Sequence, residues 1–188
     1  MAATRPTGHD AGMTWIAPDI TRVDEPYAGD ERTMLDGWLD WHRQTLLLKC
    51  AGLTAEQLKT ASAAPSNLTL LGLVRHMAEV ERTWFRQCFA GQDLDRIYCT
   101  EPRPDGDFDG VADADAAADF ATFATETDLA REATAGHDLD ETFVRRRHDG
   151  GQDVISLRWV YVHMIEEYAR HNGHADLIRE RIDGVTGS

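Results

Sequence analysis

Apolar positions between Glu31 and Cys50 recur at three- and four-residue steps: Leu35, Trp38, His42, Leu46 and Lys49 share one stripe. That period predicts an amphipathic helix, with Asp30 as its N-cap. Thr54 is followed three residues later by Gln57, a capping-box pattern that opens a short helix; Pro65, Ser66 and Asn67 end it. Residues 68–90 place Leu70, Leu73, Met77, Val80, Trp84 and Cys88 on one stripe of a second long helix, closed at Gly91. From 98 to 111 Pro, Gly and Asp dominate and predict a loop. A third helix spans Asp113 to Ala133, with Phe120, Phe123, Ala124 and Thr127 on one face and Gly136 beyond its end. Residues 139–155 have two β-prone ends around Asp149-Gly150-Gly151, a pattern that fits a hairpin or a lid loop. Ser156 caps a fourth long helix that runs to about Ile182. The pattern predicts an all-α fold, a four-helix bundle with a long crossover connection. Residues 1–12 are small and polar and are expected to form a flexible tail; 13–188 are expected to form one domain.

Composition narrows the function classes. Among 188 residues the net charge is −14. That speaks against a nucleic-acid partner, which would call for a basic surface, and against docking on anionic lipid. The short run Arg145-Arg146-Arg147 does not reverse it. No apolar run approaches membrane-spanning length, and no N-terminal stretch has the pattern of a secretory leader. Three cysteines, Cys50, Cys88 and Cys99, lack the short spacings of a cysteine zinc site. They read as free thiols of a cytoplasmic protein.

The densest chemistry lies in HMIEEYARHNGH, residues 163–174. At about 100° per residue, with His163 as zero, Glu167 falls near 40°, His171 near 80°, His174 near 20° and Arg170 about 20° to the other side. These groups share a stripe that Val160, Leu177 and Ile178 extend, so the cluster is expected to interrupt the core face. Buried carboxylates and imidazoles are costly alone and tolerable around a cation. Glu167 and His171, spaced i, i+4, can reach one ion from one helix. Their chemistry suits zinc, nickel, iron or manganese. A catalytic ion needs a third protein ligand and an open position. His76, at the edge of the second helix's stripe, is the candidate, with His42 on the first helix the runner-up or a plain core histidine. The spacing E-x-x-x-H is common by chance, so the weight rests on its placement. His163 is either a group that holds Glu167 or a core histidine, and His174 either orients a ligand or faces solvent. His9, His137 and His148 lie in loops and receive no role.

With those residues in hand, LTLLGLVRHMAEVERTWF and LRWVYVHMIEEYARHNGHADLIRERIDG resemble the DinB-like superfamily. MTWIAPDITRVDEPYAGDERTMLDGWLDWHRQTLLLKCAGL resembles its actinobacterial branch, and the likeness runs from about Met13 to Gly184. It implies a four-helix bundle, often dimeric, that holds a divalent metal, commonly zinc or nickel. One ligand comes from the second helix and two from the last, usually as three histidines. Here His76, Glu167 and His171 stand at those places. A His-Glu-His set also occurs in the mycothiol-dependent maleylpyruvate isomerase, whose metal-binding domain is similar; this chain is expected to lack that enzyme's C-terminal domain. Several members are S-transferases that use mycothiol or bacillithiol. The implied function is a metal-dependent thiol S-transferase with a mycothiol-type cofactor, a small electrophilic substrate and a detoxifying role. Arg170 or Arg43 would meet an anionic group of cofactor or substrate, or serve as structural ion-pair partners. Two other readings compete. One is a metal-dependent hydrolase that uses bound water, with Glu79 or His163 as base. The other is a non-catalytic metal-binding stress protein. A homodimer would cover Trp15, Ile16 and Trp41.

Overall fold

A computed structural model describes residues 14–147 and 149–187; the predicted tail at 1–12, His9 and His148 lie outside them. Four long helices dominate. Helix α1 spans Glu31–Cys50 and starts where Asp30 accepts from the Thr33 N–H at 2.8 Å. The short α2, Ala55–Leu58, opens with the expected capping box on Thr54 and Gln57. Helix α3, Leu70–Glu81, continues without a break into a π-helical segment, Arg82–Phe89. A four-residue helix α4, Gly106–Asp109, sits inside the predicted loop. Helix α5 spans Ala116–Thr134 from its cap Asp115. Strands β1, Thr142–Arg146, and β2, Gln152–Ser156, form an antiparallel hairpin in which Val144 faces Val154. Of the two sequence readings for this segment, the hairpin is the one observed. Ser156 then caps α6, Leu157–Asp183, which ends on Gly184 in the left-handed region, φ 79°. Glycine enters that region without the Cβ clash other residues suffer.

Helix α1 packs along α6 and α3 along α5, and contacts from α3 to α6 and to α1 close the bundle. The core lies between them: Leu39 and Leu46 from α1, Leu73 and Met77 from α3, Phe123 and Ala130 from α5, Met164 and Tyr168 from α6. Residues 15–17 run back beside 53–55, with Ala17 N–H donating to the Leu53 carbonyl at 2.8 Å.

The inward face of two helices differs from the sequence expectation. On α6 the buried residues are Leu157, Val160, Tyr161, Met164, Tyr168, His171, Asn172, Ala175 and Ile178, centred at about 110° on the scale above. Leu177, assigned to the inner stripe, is 60% exposed. The charged cluster therefore flanks the core and does not interrupt it; only His171 reaches the buried face. Tyr168 occupies the centre because its hydroxyl finds a buried acceptor, donating to Glu81 Oε1 at 2.7 Å. On α5, Ala124 faces solvent while Asp119 and Glu126 turn inward. Both acids meet arginines from the α3 helix and its π continuation: Asp119 with Arg75 at 3.1 Å, Glu126 with Arg82 at 2.6 Å and Arg86 at 2.8 Å. Paired charges hold inward positions that unpaired ones could not. Among the described residues no helix is long and apolar enough to cross a membrane.

Candidate metal centre

Helices α3 and α6 bring His76, Glu167 and His171 together. One ligand atom of each lies within 4.8 Å of the others. The rings of His76 and His171 meet edge to face with centroids 4.8 Å apart. Glu167 Oε2 stands 3.5 Å from His171 Nε2. For bonds of 2.0–2.2 Å, the ligand–ligand edge of a tetrahedral ion is about 3.4 Å. Two imidazoles and one carboxylate form a donor set that suits a borderline divalent ion.

The protonation states fit that chemistry. Burial lowers the His171 pKa to about 4, and the nearby His76 and His174 rings add to the shift. The imidazole is thus neutral at physiological pH, with a lone pair to give. Its Nδ1 lies 3.4 Å from His174 Nδ1. His76 Nδ1 sits 2.7 Å from Asp107 Oδ2, which leaves Nε2 as the free ligand atom of that ring. Phe108 stacks on the ring at 5.2 Å and limits its rotation. A carboxylate behind a ligating histidine fixes the tautomer and raises ligand basicity.

Asp107 is the residue beside the cluster that sequence reasoning missed. It lies in the acidic, glycine-rich stretch PDGDFDG, where no helical period selects one acid over another. Arg75 fixes its backbone, donating from Nε to the Asp107 carbonyl and from Nη2 to the Gly106 carbonyl, both at 2.9 Å. Gly106 is required at its place, since a Cβ there would stand 2.2 Å from the Tyr98 carbonyl oxygen. Burial pushes the Asp107 pKa up, but the His76 ring, the Cys99 thiol and the Phe108 N–H outweigh it and leave the pKa below the ordinary value.

The other predicted residues scatter. His163 stacks on Trp159 with centroids 4.7 Å apart and meets Trp84 edge-on at 4.7 Å; its Nε2 is 3.6 Å from Glu167 Oε1. Burial lowers its pKa, partly countered by Glu167 and Glu166. Arg170 is exposed, with Nη1 3.6 Å from Glu167 Oε2, so it stands at the rim of the cluster. His42 is not part of the cluster. It is buried beside Trp38 and Trp41, and Asn172 Nδ2 lies 3.2 Å from its Nδ1. Arg43 is buried too, donating to Glu81 from Nε at 2.8 Å and from Nη2 at 2.7 Å and to Asp40 at 2.8 Å. Those bonds leave it no approach to a ligand, so the ion-pair reading of Arg43 is the one its geometry carries.

The fold and cluster define a class: a mainly helical bundle with a His-Glu-His group slung between two of its long helices. A family model described as Mycothiol-S-transferase matches residues 34–184, and the chain belongs to that family. The matched span holds α2 to α6, all but the first three residues of α1 and every residue of the cluster. No curated protein and no solved structure matches the chain. Membership bears out the resemblance read from the sequence and suggests a thiol of the mycothiol type as cofactor.

Proposed function

We propose that the chain is a metal-dependent S-transferase that joins a mycothiol-type thiol to a small electrophile, on the DinB-like bundle plan. The observation that carries the reading is the convergence of His76, Glu167 and His171, with Asp107 behind His76. These three residues would hold a zinc- or nickel-type divalent ion. Such an ion lowers the pKa of a coordinated thiol and supplies a thiolate at neutral pH.

The protein's own groups have supporting parts. His76 is oriented by Asp107 and Phe108, so its lone pair is aimed before any ligand arrives. His171 is kept neutral by burial. Trp84 and His163 form an aromatic wall beside Glu167, a surface suited to an apolar electrophile. Arg170 at the rim would meet an anionic group. Cys99, near the cluster, has a pKa raised to about 11, first by burial and further by the Asp107 and Glu79 carboxylates. It stays a thiol at neutral pH, which leaves the nucleophile's part to the cofactor.

The test is to incubate zinc-loaded protein with mycothiol and an activated aryl halide, and to follow the product by mass spectrometry. The expected product carries a new carbon–sulfur bond, with halide released and the thiol proton passed to solvent. No conjugate above the protein-free rate, or turnover of esters and amides without thiol, would sink the reading and favour the hydrolase.

Replacing Asp107 by alanine is expected to weaken zinc binding about 10–100-fold while the three ligands remain, as for other carboxylates behind a metal-bound histidine. Competition with a chelating dye reads this directly. An unchanged affinity would show that Asp107 only shapes the loop.

A further inference from the structure

The two oxygens of Glu167 face different rings. Oε2 stands 3.5 Å from His171 Nε2, within the group described above, and Oε1 stands 3.6 Å from His163 Nε2. One turn of α6 therefore presents a second set. His163, Glu166 and Glu167, spaced i, i+3 and i+4, offer one ligand atom each within 4.8 Å of the others. His163 Nδ1 is 3.9 Å from Glu166 Oε2. Gaps of 3.6 and 3.9 Å are too long for hydrogen bonds. They lie near the edge of about 3.4 Å that separates two ligands of one ion.

The His163 ring is fixed by stacking instead. Its plane lies 16° from that of Trp159, and Trp84 meets it edge-on. The site stays open to solvent: the side chains of His163, Glu166 and Glu167 are 21%, 49% and 16% exposed, so an ion can reach all three. Arg170 now covers the two acids. It donates from Nη2 to Glu166 Oε1, and its Nη1 is 3.6 Å from Glu167 Oε2. A cationic group is thus already favoured at this point. Arg170 is exposed, and an exposed arginine turns away at the small cost of a surface ion pair.

We propose that His163, Glu166 and Glu167 form a second, weaker cation site, bridged to the His76–Glu167–His171 group through the Glu167 carboxylate. The inference rests on the metal centre of the S-transferase reading. Paired ions in such sites stand about 3.5–4 Å apart. One imidazole and two carboxylates are a harder donor set than two imidazoles and one carboxylate, so the second site accepts manganese as readily as zinc. Because Arg170 competes, protein as isolated holds the first ion alone, and the second enters in excess metal. A cation there would be a Lewis acid able to polarise an oxygen of the electrophile. Trp84 also lines a cavity of about 270 Å³ that opens beside His76 with Arg96 in its wall, so that space borders the cluster on the Trp84 side.

Cobalt(II), divalent and paramagnetic, is the probe, titrated into metal-free protein. Bound ions are counted by equilibrium dialysis and followed by electron paramagnetic resonance. Wild type should take up two ions per chain, the second more weakly. Ions that share a carboxylate couple magnetically, so the signal per bound cobalt should fall as the second site fills. His163→Phe keeps the aromatic stack and removes the ligand atoms; it should hold one ion, with the first bound within a few-fold of wild type. Glu166→Gln, at an exposed position, should do the same, and it carries the test if His163→Phe does not fold. Arg170→Gln removes the competing charge and should tighten the second ion several-fold. A single cobalt in wild type at saturation would overturn the second site and leave the first centre standing. So would a second cobalt retained by both ligand variants, or a signal per ion that stays constant. A wild type that binds no cobalt would remove both sites, and the metal-dependent reading with them.

Discussion

Replacing His171 by alanine is expected to abolish metal binding while the helices stay folded. Protein prepared without a metal-binding tag should carry close to one zinc or nickel per chain in the wild type and almost none in the variant, by elemental analysis. The size of the effect follows from the ligand count. A residue behind a ligand is worth about 10–100-fold in affinity, so loss of one of only three direct ligands should cost at least about 1,000-fold. A second readout is thermal. An ion that binds only the folded state adds about 2.7 kcal/mol at 100 times its dissociation constant, so zinc should raise the wild-type melting temperature and leave that of His171→Ala unmoved. A wild type that is metal-free, folded and cannot be loaded would remove the centre, and the enzyme reading with it.

The largest expected effect on stability comes from Arg43→Met. Glu81 is fully buried, and its carboxylate receives Arg43 Nε at 2.8 Å, Arg43 Nη2 at 2.7 Å and the Tyr168 hydroxyl at 2.7 Å. The trio ties α1, α3 and α6 at one level of the bundle. Burial works against both charges, and their attraction holds Arg43 protonated and well above its usual range. Removing one partner of a buried pair costs about 3–5 kcal/mol, because the other charge is stranded. In a chain of this size that corresponds to a fall in melting temperature of roughly 10 °C. Urea unfolding checks the free energy. The double variant Arg43→Met/Glu81→Met should recover much of the loss, since apolar groups of similar volume often replace a buried pair at little cost. A single-variant loss below about 1 kcal/mol would instead class the pair with exposed ion pairs.

Much of this was legible in the sequence, for reasons that differ by residue. The caps Asp30, Thr54 and Ser156 act through near neighbours, so local chemistry reveals them. The turn residues around Asp149-Gly150-Gly151 fit a hairpin or a lid loop alike, and pairing across the strands, Val144 with Val154, decides for the hairpin. The spacing of Glu167 and His171 puts both on one helix side, and membership in the S-transferase family agrees with the resemblance those segments carried. What failed was the fine rotation of α5 and α6. Hydropathy sends Leu177 and Ala124 inward, but partners distant in sequence bring Tyr168, Asp119 and Glu126 inside instead. Asp107 was invisible for the same reason: a loop residue is placed by what holds the loop, here Arg75 and Glu79. The π-helical segment gives no clear periodic signal within eight residues.

That loop has a dynamic consequence. Residues 97–107 contain little regular structure, yet Glu79 gathers three of their N–H groups and Arg75 two of their carbonyls. Both anchors belong to α3. A segment that ordinarily would open by itself is thereby enrolled in the cooperative unit of the helix, and loosens only when the helix does. Freedom to admit ligands must then reside at the rim, in exposed side chains such as Arg96 and Arg170, while the backbone around His76 stands as rigid as the core.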